Sequence, residues 1–232
     1  MFKCHIREPL EISERKLKGI FTWKVFLIGS LVLAAVLLFV YIADEAVIEQ
    51  EKMFDDAVIG FFDSVTGPRL VRVMEVFTFL GSVGFLAPFY LVLVGYYFVR
   101  KNYLFGLYVV IITASSTALI EGLKWVFHRA RPQHPVIRGV TGYSFPSGHS
   151  LSAFVFSSIL IYIIWDSGFK LSLKWVLTVL LVLYAVTIGM SRIVLKVHYP
   201  TDVLASFCVG IVWVVVGLWV LERVRVVRGG VV

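Results

Sequence analysis

Charged residues are scarce in this chain, and their scarcity limits the class of protein. Of its 232 residues, 16% are charged and 59% are hydrophobic, and the mean hydropathy is +0.89. A soluble domain carries about 25% charged residues. The composition therefore excludes an ordinary soluble domain and favours a protein embedded in a membrane.

Cysteines and linker-like segments are scarce as well. Cys4 lies in the N-terminal tail and Cys208 in the last apolar run, so the chain has no disulfide framework of the kind that stabilises small secreted folds. No repeat, long linker or low-complexity tract divides the sequence. We therefore expect one membrane-embedded domain over residues 1–232.

Long apolar runs are the most abundant feature. A transmembrane helix needs about 20 apolar residues. Uncharged runs near that length occur at Val25–Ala43, Val76–Val99, Tyr103–Ile120, Ser150–Trp165, Trp175–Met190 and Val203–Leu221. The sequence therefore predicts an all-α integral membrane protein, a bundle of six transmembrane helices. The first run is too long for a signal-peptide core, and we expect it to be retained as an anchor.

Basic residues predict the orientation of these helices. Cytoplasmic segments are enriched in Lys and Arg, and the N-terminal tail over residues 1–24 carries six of them. Further basic residues lie in the second and fourth connections and at the C-terminus: Arg100, Lys101, Lys170, Lys174, Arg223, Arg225 and Arg228. Both termini are therefore predicted to be cytoplasmic. The net charge of +7 is explained by these membrane flanks and not by nucleic-acid binding.

The first outer loop is acidic and contains a helical pattern. Within residues 53–64, apolar side chains recur at helical spacing opposite the acidic ones: Phe54, Ala57, Val58, Phe61 and Phe62. This pattern predicts a short amphipathic helix that lies in the membrane interface. It fits an anchor for the next span and also a lid over a lipid entry path.

The other two outer loops contain cations and histidines that orientation does not require. The cations are Lys124, Arg129, Arg131, Arg138, Arg192 and Lys196, and the histidines are His128, His134, His149 and His198. A charge within or beside a span costs about 2.5–3.5 kcal/mol on insertion scales, so such residues are functional candidates. Cations with imidazoles and a carboxylate predict a site that handles phosphate.

Two of the polar segments lead directly into spans. Ser147 is placed as the N-cap of a helix, with Gly148 and His149 in its first turn, where free backbone N–H groups bind phosphate. In the other segment, Pro200 suits the first helical position. That position puts Asp202 in the first turn, within reach of His198, where a carboxylate can orient the ring.

Lys124 and Arg131 complete the set at the end of the third span. Lysine offers phosphate a point charge, and arginine offers a planar fork of two donors. Metal ligation is the competing explanation for four histidines. The spacing gives no cysteine cluster, paired carboxylates or His-x-x-x-His, so we predict no metal site.

Together these residues resemble the signature motifs of a known family, the type 2 phosphatidic acid phosphatases. The three motifs match in order, spacing and position relative to the spans: Lys124-x6-Arg131-Pro132, Pro146-Ser147-Gly148-His149 and Ser191-Arg192-x5-His198-x3-Asp202. They cover residues 124–202, and the six-span plan extends the resemblance to nearly the whole chain. The small size is similar to bacterial, phosphatidylglycerophosphatase B-like members.

The resemblance implies a function and a set of residue roles. It implies a lipid phosphate phosphatase of the bacterial inner membrane, without a metal or other cofactor, whose site lies on the outer face. His198 would form a phosphohistidine, Asp202 would orient it, and His149 would act as acid and base. Five groups would hold the phosphate: Lys124, Arg131, Ser147, Gly148 and Arg192. Outside the motifs, His128, Arg129 and His134 are candidate headgroup contacts.

Several alternatives remain open at this stage. The substrate would be phosphatidylglycerol phosphate, undecaprenyl diphosphate, phosphatidate or a lipid A phosphate. The same site could pass phosphate to a lipid hydroxyl instead of water, which would make the protein a lipid phosphotransferase. A transporter or channel is more distant, because it would carry polar residues at mid-membrane depth. Soluble vanadium-dependent haloperoxidases share the motifs but lack six apolar spans.

Overall fold

The computed structural model describes residues 23–137 and 139–229, and every regular element within these ranges is helical. The predicted all-α fold is therefore confirmed. The cytoplasmic tail predicted over residues 1–24 lies almost wholly outside the described residues, and Arg138 lies outside them too. The α-helices are α1 (Trp23–Ala43), α2 (Met53–Val65), α3 (Pro68–Leu80), α4 (Val83–Val99), α5 (Tyr103–Phe127), α6 (Gly148–Asp166), α7 (Leu171–Val194) and α8 (Pro200–Gly229). A π-helical turn, Asp44–Ile48, follows α1.

Six helical segments are long and apolar enough to cross a membrane, as the sequence predicted: Val25–Ile48, Pro68–Val99, Tyr103–Phe127, Gly148–Asp166, Leu171–Val194 and Pro200–Val226. Large apolar side chains cover their outer surface; Leu91, for example, is 75% exposed. A surface of this kind is stable against lipid and unfavourable in water.

The second span differs from its prediction. It begins at Pro68 and not at Val76, and it consists of two helices, α3 and α4, that meet at Gly81 and Ser82. A proline at the first helical position after Gly67 explains the earlier start. At the break, a Cβ on Gly81 would lie 2.5 Å from Cγ2 of Ile188. Glycine is therefore required where α7 approaches.

The amphipathic helix predicted over residues 53–64 is present as α2. It packs against α7 and α8, and Phe54 and Phe61 on its outer side are exposed. Near its end, Asp63 Oδ2 accepts a 2.8 Å hydrogen bond from Lys196 Nζ. One acidic residue, Asp55, is buried on the inner side.

The core is built by α5, α6 and α8. Its buried side chains include Val109 from α5, Val155 from α6 and Val209 from α8. Helix α6 also packs along α7. Because successive spans run in opposite directions, the C-terminal ends of α5 and α7 meet the N-terminal ends of α6 and α8. All three motifs lie at these four helix ends.

Close packing of α8 against α6 generates a stability prediction. A Cβ on Gly210 would lie 2.5 Å from Cδ1 of Phe154, whereas one on Gly95 would meet nothing within 4 Å. Overpacking costs about 1–3 kcal/mol, so Gly210→Val should lower the thermal unfolding midpoint in detergent. Gly95→Val is the matched control, since it adds the same side chain to a lipid-facing position. Equal midpoints for the two variants would contradict this packing.

Candidate active site

The four helix ends bring the motif residues into one buried cluster. Ser147, Arg192, His198 and Asp202 are each less than 5% exposed. Positions 147 and 202 are joined by their backbones, because Ser147 N donates to Asp202 O over 3.2 Å. The sequence analysis predicted that the three motifs form one site, and the structure places them side by side.

The His198 ring lies in the turn between α7 and α8, with both nitrogens in contact. Nδ1 is 3.3 Å from Asp202 Oδ2, and Nε2 is 3.2 Å from Arg131 Nη1. A guanidinium group only donates hydrogen bonds, so Nε2 must be the acceptor. The hydrogen-bond partners therefore assign the proton to Nδ1, directed at Asp202, and leave the lone pair on Nε2.

Burial determines the charge of this ring. Desolvation lowers the pKa of His198 to about 4, the neighbouring Asp202 carboxylate opposes that shift, and Arg192 and Arg131 reinforce it. The ordinary value is about 6.5, so the imidazole is neutral at pH 7. A neutral ring whose Nε2 carries a lone pair and no proton is the form that can act as a nucleophile.

Asp202 lies in the first turn of α8, which begins at Pro200 as predicted. Its Oδ2 accepts from Tyr199 N at 2.9 Å and from the Ser144 hydroxyl in addition to its contact with His198. Its Oδ1 accepts from Arg129 Nη1 at 2.6 Å. The carboxylate is therefore held on both oxygens and cannot turn away from His198.

Arg131 is fixed by backbone carbonyls and not by a carboxylate. Its Nη1 donates to Val197 O at 2.8 Å, its Nε to Gly142 O at 3.0 Å and its Nη2 to Thr141 O at 3.1 Å. These bonds orient the guanidinium beside Nε2 of His198 without neutralising it. The positive charge stays available to an anion bound there.

Arg192 is a buried cation with little compensation. It is 4% exposed, its Nη1 donates to the Thr78 hydroxyl, and its Nε has no hydrogen-bond partner. Among the residues that the structure describes, no carboxylate forms an ion pair with it. Burying an unpaired charge is costly, and an anion in this cluster would offset that cost.

The start of α6 and Lys124 complete the anion-binding surface. The first hydrogen bond within α6 runs from Leu151 N to Ser147 O, so the N–H groups of Gly148 and His149 have no partner within the helix. A Cβ on Gly148 would lie 3.8 Å from Lys124 Nζ. Lys124 also contacts Glu121 Oε1 at 2.7 Å.

Ser147 and His149 of the second motif lie at the start of α6. Ser147 is the N-cap residue of α6, but its side chain does not cap the helix; its Oγ accepts from Ser150 Oγ at 2.9 Å. His149 lies within electrostatic range of Arg192, His198, Lys124 and Arg131. It therefore lies near the same cluster of charges.

The three candidate headgroup residues separate into two groups. His128 and His134 are exposed, and both have positive φ angles, 46° and 56°. Arg129 does not fit a headgroup contact, because only 8% of its side chain is exposed and both terminal nitrogens are occupied. It pairs with Asp55 and Asp202. The prediction that Arg129 contacts the headgroup is therefore corrected: its side chain binds two carboxylates inside the protein.

The structure adds four residues that the sequence analysis missed: Asp55, Thr78, Ser144 and Thr201. Each contacts a motif residue or Arg129 from a distant part of the chain. Only Asp55 left a weak signal, as an acid in an amphipathic helix. Within the described residues, no three His, Cys, Asp or Glu side chains come together in a way that could hold a metal ion.

Comparison with known proteins assigns the family. Residues 105–225, which contain all three motifs, match the PAP2 superfamily. The chain belongs to this superfamily. Its sequence is 31% identical over 159 residues to phosphatidylglycerophosphatase B of Bacillus subtilis (strain 168), covering 68% of this chain and 78% of that protein. It is 26% identical over 84 residues to phosphatidylglycerophosphatase B of Escherichia coli K12, covering 36% and 31% of the two chains.

Solved structures of PAP2 proteins share the fold. The transmembrane PAP2-type phosphatidylglycerolphosphate phosphatase from Bacillus subtilis superposes with a TM-score of 0.75 at 27% identity, covering 83% of this chain and 96% of that one. LpxE of Aquifex aeolicus superposes with a TM-score of 0.55 at 26% identity, covering 70% and 93%. The predictions of the family and of a membrane lipid phosphate phosphatase are therefore confirmed.

The unpaired cations predict that an anion stabilises the protein. Orthophosphate should raise the thermal unfolding midpoint in detergent, since a ligand at 100 times its Kd contributes about 2.7 kcal/mol. Arg192→Gln should abolish most of that rise, because it removes the cation that has no carboxylate partner. Arg100→Gln, which removes an exposed arginine after α4, is the control. An equal rise in both variants would refute the assignment of Arg192.

Proposed function

We propose that this phosphatase hydrolyses a phosphomonoester of a membrane lipid at the outer face of the bacterial inner membrane, with His198 as the nucleophile. The observation that carries this proposal is the placement of the neutral His198 Nε2 beside Arg131, 3.2 Å away. Arg192 and Lys124 supply further positive charge in the same cluster. The predicted cytoplasmic termini support this orientation, and residues 1–232 act as one domain.

The reaction proceeds in two displacements. Nε2 of His198 attacks phosphorus, a P–N bond forms, and the ester P–O bond breaks with its electron pair moving to the lipid oxygen. His149 donates a proton to that oxygen and releases the lipid alcohol. Water then attacks phosphorus, His149 accepts a proton from it, and the P–N bond breaks to release phosphate. Asp202 balances the positive charge that the His198 ring carries in between.

The remaining motif residues stabilise the transferring group. Phosphoryl transfer depends on positioning and on neutralising charge at the equatorial oxygens. Lys124, Arg131 and Arg192 supply that charge. The Ser147 hydroxyl and the Gly148 N–H add hydrogen bonds at the start of α6. Preorganised donors of this kind need no rearrangement during the reaction.

Phosphatidylglycerol phosphate is the substrate that we favour. Both curated relatives compared above are phosphatidylglycerophosphatases B, and the structure with the TM-score of 0.75 is a phosphatidylglycerolphosphate phosphatase. The exposed His128 and His134 remain candidates for contacts with the glycerol headgroup. These relatives are phosphatases, which favours water over a lipid hydroxyl as acceptor. Nothing in the described spans favours a transporter or channel.

The decisive test is phosphate release by detergent-purified protein in the presence of a chelator. Phosphatidylglycerol phosphate, phosphatidate and undecaprenyl diphosphate are offered separately, and we expect the first to be hydrolysed fastest. His198→Ala should abolish release from all three. The control is His5→Ala, which removes the histidine outside the motif region.

Three outcomes would contradict the proposal. Release that survives in folded His198→Ala protein would remove this residue as nucleophile. Release that appears only when a lipid alcohol is added, with the phosphate found on that alcohol, would show a phosphotransferase instead. Loss of release in the chelator would show that the site needs a metal ion.

Burial of the His198 ring predicts the pH dependence of the reaction. Since its pKa is lowered to about 4, the ring stays neutral as the pH falls through 6.5, the range in which an exposed histidine becomes protonated. The substrate phosphate also ionises, near pH 6, and the measured rates are corrected for that. The remaining fall in kcat/KM at low pH reports protonation of His198 and should have its midpoint near pH 4. A midpoint that remains near pH 6.5 after this correction would contradict a buried neutral nucleophile.

A further inference from the structure

Asp55 is buried although α2 lies at the edge of the bundle. It is 1% exposed, and both of its carboxylate oxygens are engaged. Oδ2 accepts from Arg129 Nη2 and from Thr201 Oγ1, each at 2.7 Å, and Oδ1 accepts from Thr201 N at 2.9 Å. The carboxylate therefore connects α2 to the first turn of α8.

Arg129 lies between two buried carboxylates. Its Nη2 contacts Asp55 Oδ2 at 2.7 Å, and its Nη1 contacts Asp202 Oδ1 at 2.6 Å. The guanidinium carbon lies 4.1 Å from the centre of the Tyr199 ring. The rigid fork of an arginine can hold two carboxylates at fixed positions, so its orientation fixes that of Asp202.

The charges in this cluster do not cancel. Asp55 and Asp202 contribute two negative charges and Arg129 one positive charge, so one negative charge remains. A single buried Arg129–Asp202 pair would be neutral and would offer less negative charge to the His198 ring. Because Asp55 shares the guanidinium, Asp202 keeps part of its charge for His198.

We propose that Asp55 and Arg129 are positioning residues for phosphoryl transfer, through which α2 holds the His198–Asp202 pair in its reactive geometry. The inference rests on the proposed role of His198. The chain of contacts runs from Asp55 to Arg129, then to Asp202 and finally to Nδ1 of His198. Helix α2, predicted as an anchor or a lid, is therefore a support of the active site.

The competing explanation is that this ion pair only attaches α2 to the bundle. The same helix offers a control, since Asp63 pairs with Lys196 at 2.8 Å. That pair also attaches α2 to the loop after α7, but both side chains are partly exposed and neither contacts Asp202 or His198. Asp63→Asn weakens the attachment of α2 without altering the charge around Asp202.

The first experiment compares Asp55→Asn with Asp63→Asn and the unaltered protein, using phosphate release from phosphatidylglycerol phosphate. Asparagine keeps the shape of the side chain and one acceptor for Thr201 N. We expect kcat of Asp55→Asn to fall about tenfold or more with KM nearly unchanged, because a misplacement of about 1 Å can cost 100-fold. Asp63→Asn should keep its kcat.

Inhibition provides a second readout that simple loosening of the fold would not produce. Orthovanadate forms five-coordinate adducts that imitate the transition state, whereas orthophosphate imitates the product. Transition-state interactions are those that determine kcat. In Asp55→Asn, inhibition by orthovanadate should weaken by about the same factor as kcat, and inhibition by orthophosphate should change little.

A third variant tests the charge argument directly. Arg129→Gln leaves Asp55 and Asp202 as two unpaired buried carboxylates, and we expect nearly complete loss of kcat. Adding Asp55→Asn removes one of them, so the double variant should recover part of the lost kcat. If the second substitution raises kcat above that of Arg129→Gln alone, the two effects are not additive. The difference then measures the interaction between Asp55 and Arg129.

The outcomes separate this inference from the proposed function. Wild-type kcat in folded Asp55→Asn protein, or a change in KM alone, would overturn the positioning role. So would equal losses in Asp55→Asn and Asp63→Asn. If Asp55→Asn does not purify as folded protein, the double variant is compared with Arg129→Gln, and absence of recovery overturns the inference. Failure of the proposed function is detected separately, because it requires that the single variant His198→Ala still releases phosphate.

Discussion

The carboxylate of Asp202 is fully buried, and the arrangement of the site follows from the need to stabilise it there. Removing a carboxylate from water costs several kcal/mol unless ionic partners and hydrogen bonds replace the lost hydration. Here the replacements come from Arg129 after α5, Ser144 before α6, and Tyr199 and His198 before α8. Two connections that are far apart in the chain, α5–α6 and α7–α8, must therefore meet at one point. The same contacts that stabilise the charge also orient the His198 ring.

The cations on the other side of the ring are arranged by a different principle. Arg131 is held by three backbone carbonyls, and Arg192 has a threonine hydroxyl and an unpartnered Nε. Neither forms an ion pair with a carboxylate among the described residues. The protein therefore satisfies the Asp202 carboxylate fully and leaves Arg131 and Arg192 without a carboxylate partner. Local conflicts of this kind are expected at functional sites, and two cations without acidic partners fit the proposed binding of an anion.

The fold and the motif residues of the candidate site could be predicted because their signals are local. Apolar runs of span length define five of the helices, and alternating directions place all three motifs at one end of the bundle. The start of the second span was predicted wrongly. The helix begins at Pro68, but its first two turns contain Arg69, Arg72 and Glu75, so the uncharged run begins only at Val76. Helical backbone continues through charged residues where a span reaches the interface.

The supporting residues could not be predicted, because their roles depend on contacts between distant positions. Asp55 and Thr201 are 146 positions apart, and Arg129 and Asp202 are 73 apart. Arg129 was misinterpreted for the same reason: beside Arg131 in a polar loop it looks like another phosphate or headgroup ligand. Only the structure shows that its neighbours are acidic. A spacing pattern identifies residues that act on the substrate, but it does not identify those that act on other residues.

Helix α2 shows how one sequence pattern can serve two environments. Its apolar side, with Phe54 and Phe61, is exposed and suits lipid, as the periodicity predicted. The pattern assigns the opposite side to water, yet Asp55 on that side enters the protein and joins Arg129. An acidic residue in an interfacial helix has two ways to keep its charge, hydration or a buried cation. Asp55 has the cation, and Arg129 joins it to the Asp202 carboxylate that contacts His198.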